Sequence, residues 1–296
     1  MKRKHSAWHY VGSVSRQVMH HPANAAHPYR AYLRALRWQI RSRVRPTPVD
    51  VPFEGLVLRC YPDSGSAANV FYFTSRYDWD EMAFLERYLR PGDGFLDIGA
   101  NIGTYSLFAA SITGPDARID AFEPLPTCAD RVRENFEINH LTNAELHQIA
   151  VDDHLGEAGF LDFDVSSSLD HDTDKRGRTP IPVIVDRIDS RATGTGYAFA
   201  KLDVEGVELR ALQGAKALLD RRDPPVWMIE ILDHQLVKHG SSAAEMVAYI
   251  VHQGFSPAWY DAATGRLEFG PDVWKDHTNC FFVADDRRDE VLARLT

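Results

Sequence analysis

The sequence predicts a doubly wound α/β protein, in which helices cover both faces of a mostly parallel sheet. From Gly94 onward, short apolar runs alternate with stretches of helical periodicity. This alternation requires parallel strand pairing through right-handed crossovers. With 296 residues, of which 44% are hydrophobic and 25% charged, the chain can bury a full core. Membrane-spanning, collagen-like and disordered proteins are excluded, because the sequence has neither the long apolar runs nor the biased composition that they need.

The hydrophobic pattern also predicts where each element lies. Before Gly94, it predicts a helix at 29–43, strands at 51–61 and 68–73 around a turn at 63–66, and a helix at 78–89. After Gly94, strands are predicted at 95–97, 119–122, 146–151, 198–203, 226–231, 256–260 and 280–284. The helices between them are predicted at 104–111, 129–139, 207–219 and 243–253. The polar stretch 162–178 is expected to form a loop or lid near the carboxyl edge of the sheet.

The first 50 residues are strongly basic, with ten lysines or arginines and a single acid, Asp50. The rest of the chain is acidic, with 23 bases against 41 acids. In the helix at 29–43, Leu33, Leu36 and Ile40 share one stripe, which we expect to pack on the protein's own domain. Docking on a membrane surface or on a partner is the alternative. We therefore predict a basic helical arm and β-hairpin over 1–76 and a ligand-binding domain over 77–296.

Three scattered cysteines, Cys60, Cys128 and Cys280, have no metal-binding spacing and indicate reduced thiols. The basic start at 1–4 resembles the beginning of a secretory signal, but polar residues interrupt the segment that follows it. We therefore expect a cytoplasmic protein. The acidic body argues against nucleic-acid binding, which favours a basic face.

The segment from Asp97 to Gly103 connects a predicted strand to a helix, the position at which α/β sheets bind ligands. Gly99 and Gly103 allow the backbone to approach a ligand closely. Asn101 stands where a dinucleotide-binding loop would have its second glycine. The backbone N–H groups of this loop are therefore less able to approach and bind a pyrophosphate. Asp97 ends the strand with an acid, which suits a cationic or amine-bearing ligand.

Two further acids follow the next two strands. Glu123 can accept hydrogen bonds from both hydroxyls of a ribose. Asp152 can meet an adenine amino group, although a turn or helix-cap role is an equal alternative.

With these motifs, the sequence resembles the FkbM family of S-adenosylmethionine-dependent methyltransferases. The resemblance rests on Phe95 to Tyr105, on Phe122-Glu123-Pro124, and on Lys201 to Glu208 with Leu212 and Gly214. It covers about residues 77 to 285. It implies a Rossmann-like methyltransferase fold with a seven-stranded sheet whose last strand is antiparallel, and O-methylation of a sugar or natural-product hydroxyl.

Carried over by position, the resemblance assigns the methionine part of the cofactor to Asp97, Gly99, Asn101 and Gly103. It assigns the ribose to Glu123. Tyr77-Asp78 stands where many relatives have Tyr-Glu, so this sequence departs from the family at the residue that would contact the cofactor's amino group.

Catalytic candidates follow the fourth and fifth strands of the domain. Asp203 and Glu230 end these strands, and Asp233 and His234 come shortly after. Asp203, Glu230 and Asp233 form a candidate Mg²⁺ site that would acidify the acceptor hydroxyl. In the alternative mechanism, Asp203 or His234 acts directly as a base. Lys201 is interpreted as a strand residue whose amine extends to the sheet edge.

Three functions are compatible with these patterns. The favoured one is an S-adenosylmethionine-dependent O-methyltransferase acting on a glycan or small molecule. An NAD-dependent sugar oxidoreductase or epimerase would want a third loop glycine, which is absent, and a Tyr-x-x-x-Lys pair. Tyr197 and Lys201 have that spacing, but they fall directly before and within the strand predicted at 198–203, where residues four apart are separated by about 13 Å. A non-catalytic binding protein would have no need to keep the acids and glycines of the loop.

Overall fold

A sheet of eight strands forms the centre of the computed structural model, which describes residues 16–161, 168–169 and 180–296. In spatial order, the strands are Arg266–Phe269 (β13), Phe255–Asp261 (β12), Asn279–Ala284 (β14), Val226–Glu230 (β11), Tyr197–Leu202 (β10), Gly94–Ile98 (β3), Ile119–Phe122 (β4) and Ala144–His147 (β5). The five strands from β11 to β5 pair in parallel. The predicted mostly parallel sheet is thereby confirmed.

The antiparallel part of the sheet is larger than the sequence implied. Strand β14, the last in the chain, is antiparallel to β11 and to β12, as the family resemblance implies. Strand β13, which was not predicted, pairs with the outer edge of β12 and makes the sheet eight-stranded instead of seven-stranded. Its residues are half-buried or exposed, so it lacks the continuous apolar run that reveals the inner strands.

Helices cover both faces of the sheet, as predicted. Alternate residues of each strand enter different cores: Phe199 and Phe281 face one, and Ala200 and Phe282 face the other. The helices after residue 76 are Trp79–Tyr88 (α3), Thr104–Thr113 (α4), Pro126–Ile138 (α5), Ile188–Arg191 (α6), Glu208–Gln213 (α7), Lys216–Arg221 (α8), Asp233–Lys238 (α9), Ala243–His252 (α10) and Arg288–Leu295 (α11). No helix in the described parts of the chain is long and apolar enough to cross a membrane.

A second sheet of four short strands follows β5. Its order is Ala150–Val151 (β6), Ile181–Asp186 (β9), Gly156–Leu161 (β7) and Ser168–Leu169 (β8). The single strand predicted at 146–151 is therefore wrong: a hydrogen bond from the Ile149 N–H to the His147 carbonyl divides it between the two sheets. Apart from β8, the predicted lid at 162–178 lies outside the described residues.

The N-terminal region contains a helix at Pro28–Val44 (α1), a hairpin of Val49–Phe53 (β1) and Leu56–Cys60 (β2), and a helix at Gly65–Phe73 (α2). The strand predicted at 68–73 is wrong. The Ser64 side chain accepts a hydrogen bond from the Ala67 N–H and starts a helix where the apolar run suggested a strand. Residues of α1, β2 and α2 belong to the same core cluster as one face of the large sheet. The division at residue 77 remains a prediction.

Helix α1 docks through a face that the sequence analysis did not select. Ala31, Ala35 and Trp38 are buried, and Trp38 stacks on Phe71 of α2 with ring centroids 3.9 Å apart. The predicted packing stripe of Leu33, Leu36 and Ile40 is exposed instead. The docked face of α1 is determined by the large ring of Trp38 and by Ala31 and Ala35, whose small side chains allow close packing.

Candidate functional site

A cleft of about 700 Å³ opens at the carboxyl edge of the large sheet, in the size range of small-molecule sites. It lies where β3 and β10 pair. The chain leaves these two neighbouring strands toward opposite sides of the sheet, which creates the crevice that binds ligands in doubly wound folds. Helix α2 and the segment before α3 contribute another wall.

The loop after β3 forms the floor of the cleft. Gly99 has φ +86°, and a Cβ at this position would lie 1.8 Å from the backbone carbonyl oxygen of Asp203. Glycine is therefore required both by the backbone conformation and by the contact with the turn after β10. Asn101, also left-handed with φ 54°, lines the cleft, and its side-chain oxygen accepts a hydrogen bond from the Ser66 hydroxyl.

Glu123 lines the cleft at the end of β4, as predicted from its position. Its Oε2 accepts a hydrogen bond from the Asn101 N–H and its Oε1 accepts one from the Leu125 N–H, both at 2.9 Å. The carboxyl is only 6% exposed, and burial raises its pKa to about 7. Two backbone donors thus fix its orientation while each oxygen keeps a free lone pair.

Two of the predicted cofactor-loop residues lie behind the cleft surface. Asp97 is fully buried and absent from the cleft lining; its Oδ2 accepts hydrogen bonds from the backbone and hydroxyl of Ser106. Gly103, with φ +82°, begins α4 facing Val132 and Phe136. These residues hold the loop and helix in place.

Lys201 was interpreted as extending to the sheet edge, and this is wrong. Its side chain is buried, with Nζ 3.1 Å from Asp203 Oδ2, 4.0 Å from Asp97 Oδ1 and 3.0 Å from the Gly99 carbonyl oxygen. Burial lowers its pKa, but Asp203 and Asp97 outweigh that effect and raise it overall. Lys201 therefore remains protonated and links β10, the glycine loop and Asp203.

Acids crowd the part of the cleft beyond Lys201. Asp203 and Glu230 both line it, at the ends of neighbouring strands as predicted, and Glu205 lies beside them. Burial, with the nearby charges of Asp203 and Glu205, raises the pKa of Glu230 to about 10. Burial and Asp203 raise the pKa of Glu205 to about 7. At neutral pH, Glu230 therefore carries a proton and can donate a hydrogen bond.

The structure does not bring three of the predicted site residues into the cleft. Asp152 is buried beside Arg210, and its Oδ1 accepts a hydrogen bond from the Asp153 N–H. The Oδ1 of Asp233 accepts one from the Ala243 N–H at the start of α10. His234 is exposed on α9. None of the three appears among the described residues that line the cleft.

The same placement removes the geometric basis for the predicted metal site. Among the described residues, Asp203, Glu230 and Asp233 are not brought close enough together to share one ion. Asp203 already pairs with the Lys201 ammonium, and Asp233 lies outside the cleft. The residues present do not fit the Mg²⁺ ion that the sequence analysis considered.

The contact between Asp152 and α7 also explains a local error in the prediction. A Cβ on Gly214 would lie 2.1 Å from the Asp152 carbonyl oxygen, so the chain passes too close for any side chain. The helix predicted at 207–219 divides at this point into α7 and α8.

Sequence reasoning missed the part of the cleft wall that comes from α1 and α2, and it identified Tyr77 and Asp78 only as a departure from the family pattern. Tyr77 and Asp78 line it before α3; the Tyr77 hydroxyl lies 2.7 Å from the Thr104 hydroxyl, and Asp78 accepts a 2.6 Å hydrogen bond from Tyr105. Gln39, Ser66 and others reach the cleft from α1 and α2. The Tyr-Asp pair was visible in the sequence, but no local pattern indicates that α1 and α2 fold over the cleft.

The strand order, the antiparallel last strand and the acid-ended strands at the crevice define a Rossmann-like methyltransferase fold. The family model for the methyltransferase FkbM domain matches residues 97–257, which is more than half of the chain. This chain belongs to the FkbM methyltransferase family.

A curated relative matches over a shorter segment of the chain than the family model does. The 31-O-demethyl-FK506 methyltransferase FkbM of Streptomyces tacrolimicus is 41% identical over 68 residues, which are 23% of this chain and 25% of that protein. The match therefore spans about a quarter of the relative's length.

Among solved structures, the methyltransferase FkbM of Methylobacillus flagellatus has 16% identity and a TM-score of 0.44, covering 93% of this chain and 60% of that one. Aeropyrum pernix fibrillarin, solved with S-adenosyl-L-methionine, has 15% identity and a TM-score of 0.37, covering 69% of this chain and 75% of that one.

Proposed function

We propose that the protein is an S-adenosylmethionine-dependent O-methyltransferase that acts on a hydroxyl of a sugar, glycan or secondary metabolite. The observation that carries this proposal is the charge of the cleft. Of the described residues that line it, Lys201 is the one base, against five acids besides the protonated Glu230: Asp63, Asp78, Glu123, Asp203 and Glu205. A sulfonium cation is attracted by such a lining, whereas the pyrophosphate of NAD is repelled.

The donor half of the cleft has groups of the right chemistry for each part of the cofactor. The fixed carboxyl of Glu123 would accept hydrogen bonds from the ribose hydroxyls, and the backbone and side chain at Asn101 would meet the methionine part, with Gly99 allowing close approach. Asp97 and Gly103 support this loop from behind. Because Asp152 does not line the cleft, it is not the adenine contact that the sequence analysis predicted. The adenine ring would instead pack on the apolar wall formed by Leu125, Ile149, Val151 and Phe160.

The acceptor half supports proton transfer from a hydroxyl. When bound, S-adenosylmethionine supplies a methyl group activated by its sulfonium centre. Asp203, whose side chain is 34% exposed, is the group we assign to accept the hydroxyl proton. Lys201 holds its carboxylate in place. Protonated Glu230 would donate a hydrogen bond that orients the acceptor. This mechanism replaces the metal-assisted one, and it assigns no role to Asp233 or His234.

Three observations support the choice of acceptor and compartment. The name of the Streptomyces relative, 31-O-demethyl-FK506 methyltransferase, describes methyl transfer to an oxygen, and the polar acceptor half, with Gln235 and Asn279 beside the acids, suits a hydroxyl-rich molecule. Cys60 and Cys280 are buried free thiols, which favours a cytoplasmic protein.

The test has two steps. Calorimetry with S-adenosylhomocysteine, NAD and NADP should show binding of the first alone. Incubation with methyl-labelled S-adenosylmethionine and a panel of sugars, glycans and polyketides should then label an acceptor with base-stable methyl groups, as expected for ethers. Binding of NAD in preference to S-adenosylhomocysteine would contradict the proposal. Label in a base-labile ester would contradict the hydroxyl acceptor.

A further inference from the structure

Helix α1 carries an apolar stripe that faces away from the rest of the protein. It consists of Tyr29, Leu33, Leu36, Ile40 and Val44, whose side chains are 41% to 75% exposed. Their spacing places them in one line along the helix, within a narrow arc. They are five of the nine large hydrophobic side chains that are exposed among the described residues. Such a concentration on one helix marks a contact surface.

The orientation of the stripe is fixed by the opposite face of the helix. Trp38, Ala31 and Ala35 are buried there, and Arg34 donates a 2.6 Å hydrogen bond to the Phe71 carbonyl oxygen. Rotating the helix to bury the stripe would expose Trp38 and break these contacts. The stripe is therefore a permanent feature of the surface.

Arginines border the stripe on both sides. By helical geometry, Arg30, Arg37 and Arg41 lie along one side and Arg43 along the other. Helix α1 contains no acid. None of these four arginines forms a salt bridge within the described parts of the chain; Arg41 bonds to a carbonyl and Arg43 to Gln39. The borders of the stripe therefore carry uncompensated positive charge.

We propose that α1 docks on an anionic lipid membrane. The apolar stripe enters the boundary between headgroups and acyl chains, and the flanking arginines lie at the level of the lipid phosphates, as in other basic amphipathic helices. A second copy of the chain fits less well. Stripe-to-stripe pairing would bring the arginines of two helices together with no acid on either helix to compensate them.

The charge of the whole protein makes this surface selective. The chain carries a net charge of −9, so an anionic membrane repels most of the molecule and attracts its N-terminal arm. Gln39 lines the cleft and immediately precedes Ile40 of the stripe. Docking through α1 would therefore hold the mouth of the cleft beside the bilayer.

The experiment measures co-sedimentation of the full chain with vesicles. We expect binding to vesicles of phosphatidylcholine mixed with phosphatidylglycerol, no binding to phosphatidylcholine alone, and a loss of at least about tenfold when salt is raised several-fold. The variant Leu36→Asp/Ile40→Asp should lose binding. The matched variant Leu155→Asp/Val251→Asp, which changes two exposed apolar residues elsewhere, should bind like the original chain.

Three results would overturn the proposal: no sedimentation with anionic vesicles, equal loss of binding in both variants, or a stable dimer in solution that only the α1 variant dissociates. Circular dichroism and S-adenosylhomocysteine binding, measured on both variants, would show that each has kept its fold. Vesicle binding does not depend on methyl transfer, so failure here and failure of the proposed activity are distinguishable.

Discussion

The ammonium of Lys201, near the end of β10, lies 3.1 Å from the carboxylate of Asp203, the first residue of the turn whose backbone contacts the glycine loop. The same ammonium also faces Asp97 Oδ1, a buried oxygen that has no hydrogen-bond donor in the described structure. One buried cation thus balances two acids. Three predictions concern this arrangement and the loop beside it, one concerns Glu123, and one concerns Glu230.

Lys201→Met should destabilise the fold by about 3–5 kcal/mol, because it leaves the fully buried Asp97 and the half-buried Asp203 without their countercharge. Chemical denaturation measures this loss. The control is Lys216→Met, which removes a lysine paired with Asp220 at the surface, where both side chains are more than half exposed. Its expected cost is much smaller, because an exposed ion pair contributes little to stability. Equal losses in the two variants would contradict the role given to Lys201.

Asp203→Asn should reduce methyl transfer by about 10² to 10⁴, the usual contribution of a general base. Its affinity for S-adenosylhomocysteine should change much less, because we place Asp203 on the acceptor side. Single-turnover kinetics and calorimetry separate the two effects. Asp220→Asn, a surface change on α8, serves as the control. If Asp203→Asn keeps full turnover, Asp203 only supports the turn.

Glu123→Gln should weaken binding of S-adenosylhomocysteine by about 1.5–3 kcal/mol, the range for hydrogen bonds to charged groups. This corresponds to roughly 10- to 100-fold in dissociation constant by calorimetry. Asp63→Asn changes an acid at the exposed rim of the same cleft and should leave affinity within about twofold. Similar affinities for both variants would remove Glu123 from the ribose site.

Gly99→Ala tests the contact between the glycine loop and the turn after β10. The new methyl group would lie 1.8 Å from the Asp203 carbonyl oxygen, so the loop must move. Gly92→Ala is a matched control, because Gly92 has φ +88° but no atom within 4 Å of its Cβ position. The control should cost about 1–2 kcal/mol from backbone strain alone. Gly99→Ala should cost more and should abolish cofactor binding.

Glu230→Gln should change how stability depends on pH. The pKa of Glu230 rises from 4.5 to about 10 on folding, so the folded state binds a proton that the unfolded state has already released. Stability is therefore highest below the unfolded pKa and falls as pH rises toward the folded pKa. In the variant, this decline should be shallower by up to about 1.4 kcal/mol per pH unit. Thermal denaturation of both proteins across the neutral and mildly alkaline range measures the difference.

The sequence was sufficient to predict the elements whose apolar pattern is continuous, such as β4 and α4, and Glu123, the acid that follows β4. It failed where a single local contact decides the structure. Ser64 converts a strand-like run into α2, and the close approach of Gly214 to Asp152 divides a helix. Asp233 was assigned to the cleft from chain position alone, but a hydrogen bond to the start of α10 holds it outside. Helix α1 shows the same limit: its alanines and Trp38 dock more closely than its leucines.

The cleft has two structural origins, and this has an evolutionary consequence. The floor with Gly99, Glu123 and Asp203 comes from the region that the family model matches. The facing wall, with Gln39 and Ser66, comes from the N-terminal segment outside that region. Gln39 bonds to Tyr72 within this wall, whereas Ser66 donates a hydrogen bond to Asn101 of the floor. Substitutions at positions like Gln39 can therefore accumulate with little effect on the floor. We therefore expect relatives to diverge in acceptor preference mainly by exchanging their N-terminal segments while they inherit a common donor half.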